Sequence, residues 1–131
     1  MSFEGRLFES WRPAHLASTA LTAREEELVD DALTRHADAV AALHRAVFLS
    51  SGETAQALRE AAGTGGHLPD PWGRYAEKVR DHSYRVTDAD IAELKAAGHS
   101  EEEIFEITIA AAQGAALQRL EAGLRALRGE A

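Results

Sequence analysis

Cysteine is absent from the chain's 131 residues, which excludes a disulfide, a thiolate nucleophile and any metal site built on sulfur ligands. Aromatic residues are scarce at 6%, against a hydrophobic content of 45% that is rich in alanine; this balance suits closely packed helices better than a sheet of β-branched strands. Basic residues are in deficit, with 14 Lys and Arg facing 22 Asp and Glu for a formal net charge of -8. A surplus of that sign repels phosphate backbones and anionic lipid, so neither nucleic acid nor membrane is an expected partner. No uninterrupted apolar run reaches membrane-spanning length, and MSFEGRLFESW lacks a basic region followed by a continuous apolar stretch. These absences lead to the expectation of a soluble, cytoplasmic, all-α protein whose length suits one modest core.

What is present is concentrated between Tyr84 and Leu127. Thr87 can cap a helix with Asp90 three residues on, and Val86 and Ile91 stand at the positions of a hydrophobic staple across that cap. Gly98 follows the apolar positions Ile91, Leu94 and Ala97, where a left-handed residue would end the helix. Ser100 and Glu103 form a capping box for a second helix, and Glu101 and Glu102 favour the positive end of its dipole. In this helix Ile104, Phe105, Ile107 and Ile109 point around most of the circumference, which predicts burial on several sides. Ala110, Ala111, Ala112, Gly114, Ala115 and Ala116 then offer little side-chain volume. Gly114 lowers helix propensity by about 1 kcal/mol relative to alanine, so a close approach to a neighbouring helix, within the chain or across a subunit interface, is its expected role.

Earlier in the chain, Phe3, Leu7, Phe8 and Trp11 share one side of a short predicted helix ended by Pro13, a packing surface or a docking peptide. Thr22 and Glu25 form another capping box, and no Gly or Pro intervenes before Gly52, so a long helix is expected. Its apolar stripe reads Val29, Leu33, His36, Val40, Leu43 and Val47, which gives His36 a packing role in preference to a chemical one. His36 and His44 lie eight apart without an evident third ligand, so no metal site is expected. A short helix over 53–62 leads into GTGGHLPDP. This is a flexible connection and not a phosphate loop, because it lacks the GK[ST] continuation. Asp70 can cap the next helix, with Pro71 as its first residue. Trp72, Tyr75, Val79, His82 and Val86 follow at helical spacing, which directs His82 inward.

His82 is the leading candidate for chemistry. Asp81, Tyr84 and Arg85 surround it with groups able to hydrogen-bond a ligand or tune its titration, and the competing reading is a satisfied core histidine. Gln113 is the lone long polar residue of the small-residue segment, and Glu106 lies seven residues earlier on the same helix face. The two either reach solvent or orient a substrate between helices. The triplet Glu101, Glu102 and Glu103 reads as a solvated first turn.

The run YAEKVRDHSYRVTDADIAELKAAGHSEEEIFEITIAAAQGAALQRLEAGL resembles the carboxymuconolactone decarboxylase and alkylhydroperoxidase-D-like superfamily. The pattern is a lysine-bearing helix before YRVTDADI, then AELKAAGHSEEEIFE, then a small-residue helix ending in RLEAGL, and it extends roughly from Gly52 to Leu127. The resemblance implies an all-α bundle assembled as a homo-oligomer, a trimer or hexamer. Its peroxidase branch uses a Glu, a Cys-x-x-Cys pair and a following His. One register sets Glu25, Ala37, Val40 and His44 at these positions, and a register shifted by two favours Glu27 and loses the histidine. Without cysteine the sulfenic acid and disulfide chemistry is excluded in either register. The decarboxylase branch implies acid–base work on a small carboxylated lactone, for which His82 and Tyr84 are the catalytic candidates and Arg85, Glu106 and Gln113 the substrate-binding ones.

The sequence therefore predicts an alkylhydroperoxidase-D-like core over 51–131, with an N-terminal helical extension over 1–50 packed on it. It predicts no cofactor and a small organic ligand held between helices, with lyase or isomerase chemistry if the protein is an enzyme. The alternative is a non-catalytic assembly protein that keeps the fold.

Overall fold

The computed structural model describes residues 23–127 and Gly129. Helix α1 spans Ala23–His44 and runs on as a wider π-helical turn over Arg45–Leu49. Four more helices follow: α2 (Gln56–Thr64), α3 (Trp72–His82) with a 3₁₀ turn after it at Ser83–Arg85, α4 (Asp88–Ala96) and α5 (Glu101–Leu127). No strand occurs among the described residues, and the fold class is all-α. Arg45–Leu117 forms one compact unit; α1 and the chain from Gln118 onward belong to another. The expected helix bearing Phe3, Leu7, Phe8 and Trp11, and the Thr22 end of the expected capping box, lie outside the described residues.

The core of the 45–117 unit gathers Phe48, Trp72, Tyr75, Leu94, Ile104 and Ile107, with Leu94 and Ile107 wholly enclosed. Local chemistry sets the helix ends around it. At the start of α4, one Asp90 carboxylate oxygen accepts the Thr87 N–H at 2.8 Å and the Thr87 hydroxyl at 3.2 Å. Val86 and Ile91 pack against the core on either side of that cap, as a staple should. At its end Gly98 adopts φ +96°. There the Gly98 N–H reaches the Lys95 carbonyl at 3.0 Å and the His99 N–H the Leu94 carbonyl at 3.1 Å, the paired bonds of a Schellman turn. Ser100 and Glu103 then exchange reciprocal hydrogen bonds, both 3.1 Å, to open α5. The His99 ring lies 4.3 Å from the buried Trp72 ring, tying this connection to the start of α3.

Helices α2 and α5 approach so closely that only glycine fits. A Cβ on Gly114 would stand 1.9 Å from the Gly63 carbonyl oxygen, and one on Gly63 would stand 2.4 Å from the Phe48 ring. The close approach expected of Gly114 is thus made within the chain. Two expectations are corrected. His36 and Leu43 are exposed, while Ala41, His44 and Val47 are buried, so the buried side of this stretch is offset from the predicted stripe. Phe105 and Ile109 are 61% and 38% exposed, because one side of α5 fills the core with Ile104, Ile107, Ala110 and Ala111 and leaves the other to solvent.

Replacing Gly114 by alanine sets two effects against each other. Helix propensity gains about 1 kcal/mol, whereas overpacking costs about 1–3 kcal/mol even where flexible side chains can yield. Here the obstacle is backbone, so the clash wins. Gly114→Ala should lower unfolding free energy in urea by about 2 kcal/mol or more. Gly123→Ala, on the same helix with no atom within 4 Å of the added methyl, should leave stability unchanged or raise it. Equal stabilities for the two variants would refute the contact.

Candidate functional site

The groove that contains His82 is built by α3 and α4. The Lys78 ammonium donates to the second Asp90 oxygen at 2.7 Å, and Arg74 pairs with Glu93, so two ion pairs connect the helices. Between them lies an open groove of about 430 Å³. Tyr75 and Leu94 contribute buried apolar surface, and His82 and Arg85 also line it. The Asp90 carboxyl is held below its ordinary range by the Lys78 hydrogen bond first and by the Thr87 N–H second. One carboxylate therefore caps α4 and fixes a groove lysine.

His82 does not continue the buried stripe of Trp72, Tyr75 and Val79; its side chain is exposed. The inward direction expected from helical spacing is corrected, and the reason is local. Helix α3 ends at His82, whose φ of -145° and ψ of 48° leave helical geometry. The Tyr84 ring meets the His82 ring edge-on at 6.1 Å and is 78% exposed. The Arg85 guanidinium lies 5.6 Å from the centre of the Tyr84 ring, a cation–π contact. Arg74 and Lys78 have carboxylate partners; among the described residues none lies within ion-pair distance of Arg85.

Glu106 and Gln113 do not line this groove. Glu106 accepts the N–H groups of Glu53 and Thr54, each at 2.8 Å, together with the Thr54 hydroxyl, and lies 3.8 Å from Arg59. It holds the segment that leads into α2. Burial by itself would raise its carboxyl, but the Thr54 hydroxyl, the two N–H groups and the Arg59 charge outweigh it and move the group below its ordinary value. Arg59 is itself buried. It donates to the carbonyls of Val47 at 3.0 Å and Thr54 at 2.6 Å, and also to that of Ser50. Gln113 is half-buried, and its Nε2 has no hydrogen-bond partner among the described residues.

Sequence reasoning missed Arg59, Arg74 and Lys78. Arg59 stands three and four residues before the buried Ala62 and Gly63, and that register was a usable signal. The pairing of Lys78 with Asp90 joins separate helices and had no local signal. Among the described residues no three His, Asp or Glu side chains are placed to hold a metal ion. No described helix is long and apolar enough to cross a membrane. No family model, curated protein or solved structure matches this chain.

The Glu106 arrangement fixes a sign for pH dependence. Its folded pKa lies below the ordinary 4.5, so the stability it contributes is fully present above that value and is lost as pH falls through the folded pKa. At neutral pH Glu106→Gln should cost roughly 2 kcal/mol, since it weakens charge-assisted bonds and removes the counter-charge of buried Arg59. Urea unfolding should show the gap to wild type narrowing well below 4.5; a gap constant with pH would exclude the carboxylate as its source.

Proposed function

We propose that the α3–α4 groove binds a small organic anion and that the protein is a non-redox member of the alkylhydroperoxidase-D-like group. The observation that carries this reading is the joint placement of exposed His82 and of Arg85 on one ligand-sized groove. A carboxylate needs a cation that it can reach without breaking an existing pair, and Arg85 meets that condition. Arg74 and Lys78 hold the groove's shape through Glu93 and Asp90. His82 is the group able to take a proton from the bound molecule or give one to it, through its ring nitrogens. The Tyr84 ring stands perpendicular to the His82 ring and lies under the Arg85 guanidinium, so it adjoins both groups. The corresponding reaction is either a proton shift beside a carboxylate or carbonyl, an isomerase step, or the lyase step of the carboxymuconolactone decarboxylase kind. In the lyase step the bond to the carboxylate breaks, carbon dioxide leaves and a proton takes its place on carbon. Glu106 and Gln113 take no part in it.

A second reading, a non-catalytic assembly protein, is favoured by one observation, the exposure of Phe105 and Ile109 on α5. Trimeric or hexameric association, as the sequence resemblance implies, is common to both readings.

The groove reading is tested by isothermal titration with succinate, glutarate, adipate and carboxylated lactones. Arg85→Ala should weaken the best-bound anion about tenfold or more, the scale of one charged hydrogen bond. His82→Gln should abolish solvent deuterium exchange at the carbon beside the carboxylate while leaving affinity within a few fold. Both residues are exposed, so the melting temperature should stay constant. Absence of binding by every probe, or binding indifferent to Arg85, would remove the proposal.

A further inference from the structure

The α3–α4 groove is lined by Arg74, Lys78 and Arg85 on the positive side and by Glu77, Asp90 and Glu93 on the negative. Arg74 is taken by Glu93 and Lys78 by Asp90. Among the described residues, what remains on the groove is one charge of each sign. Arg85 has no carboxylate within ion-pair distance there, and the Glu77 carboxylate has neither an ion pair nor a hydrogen bond. Both residues are exposed, so a ligand reaches them without breaking a bond of the fold. Tyr75 and Leu94 supply an apolar floor to the same groove. Glu77 and Arg85 stand eight positions apart in the chain, about 12 Å of rise along a helical path, of which two long side chains can span a part.

We propose that the ligand of this groove is an ω-amino acid, with its carboxylate on Arg85, its ammonium on Glu77 and the methylene chain between them on Tyr75 and Leu94. The inference rests on the reading of Arg85 as the carboxylate's partner and adds the other end of the molecule. The two residual charges decide the class. A dicarboxylate would set its far end against Glu77, where like charges repel. A monocarboxylate would lay an apolar tip beside Glu77 and gain nothing from it. An ammonium at that place gains an ion pair and offers its N–H donors to the carboxylate oxygens. The separation of Glu77 from Arg85 along the chain favours a spacer between the ligand's charges over an α-amino acid, whose two groups share one carbon. Such matching of charge gives specificity more than tight binding, since an exposed pair contributes little by itself.

Isothermal titration of the full chain at low salt tests the assignment. The probes are 4-aminobutanoate, 5-aminopentanoate and 6-aminohexanoate, each beside the unsubstituted acid and the dicarboxylate of equal carbon number. The best amino acid should bind about fivefold tighter than its monocarboxylate, the upper end for an exposed ion pair, and tighter still than its dicarboxylate. Glu77→Gln should remove that preference, and Glu77→Lys should reverse the order in favour of the dicarboxylate. Both variants should melt as wild type does, because the site is exposed. Asp81→Asn controls for the loss of one negative charge: Asp81 is exposed on α3 and borders the neighbouring groove between α2 and α3, as Glu77 also does, but not the α3–α4 groove. It should leave the preference intact. Amino acids and dicarboxylates that bind equally, both weakened by Arg85→Ala, would overturn the ω-amino assignment and leave the groove reading standing. So would a preference for 2-aminopentanoate over its 5-amino isomer, or an order that Glu77→Lys does not reverse. Absence of binding by every acid, or binding indifferent to Arg85, would instead remove the groove reading and this inference with it.

Discussion

The backbone at Gly63 is the point on which the 45–117 unit turns. On one side Gly114 brings α5 against its carbonyl, on another the Phe48 ring occupies the place of a side chain, and the Arg80 guanidinium of α3 donates to the same carbonyl. Three elements therefore converge on one residue without a Cβ. The geometry explains a sequence choice that propensity opposes, since Gly114 in the interior of α5 sacrifices roughly 1 kcal/mol relative to alanine, while Gly63 lies in the last turn of α2. Close approach returns dispersion contacts along both helices, and the buried Ala62, Ala110 and Ala111 share that compact contact region.

Next to this apolar crossing stands a polar one. Arg59 would be expensive to bury alone, but three carbonyls and the Glu106 carboxylate surround it. The Ser50 and Thr54 carbonyls belong to the irregular chain before α2, and the Val47 carbonyl to the π-helical turn that precedes it. The cation takes the place of secondary structure there, and Glu106 supplies the matching acceptor for the N–H groups of Glu53 and Thr54. A polar network that is satisfied on both sides specifies one path for a connection that sequence periodicity leaves undefined.

The helix class and the termini of α4 and α5 were legible because their causes are local. Thr87 with Asp90, Gly98 with Leu94 and Lys95, and Ser100 with Glu103 all act within five residues. Gly114 was legible as a point of close approach, though not its partner Gly63, which lies on another helix. His82 was misread because periodicity presumes that the helix continues, whereas α3 stops there and the side chain turns to solvent. Phe105 and Ile109 were misread because an apolar run in one sequence does not reveal whether another part of the chain covers it. Glu106 and Gln113 share a helix with the core but not a groove with His82, and only the three-dimensional placement of α3 against α4 separates them.

The groove and the fold use the same charges, which constrains how either can be altered. Asp90 gives one oxygen to the cap of α4 and the other to Lys78, so removal of Lys78 would disturb the cap as well as the groove. Glu93 and Arg74 couple the same helices a turn away from Asp90. Charge loss at any of these four positions mixes an electrostatic effect on a ligand with a shift of α3 against α4. His82 and Arg85 are different: they follow the end of the helix packing, are exposed, and each contacts the Tyr84 ring. A scaffold of paired charges with a separate, exposed edge permits the edge to change its chemistry while the bundle retains its packing.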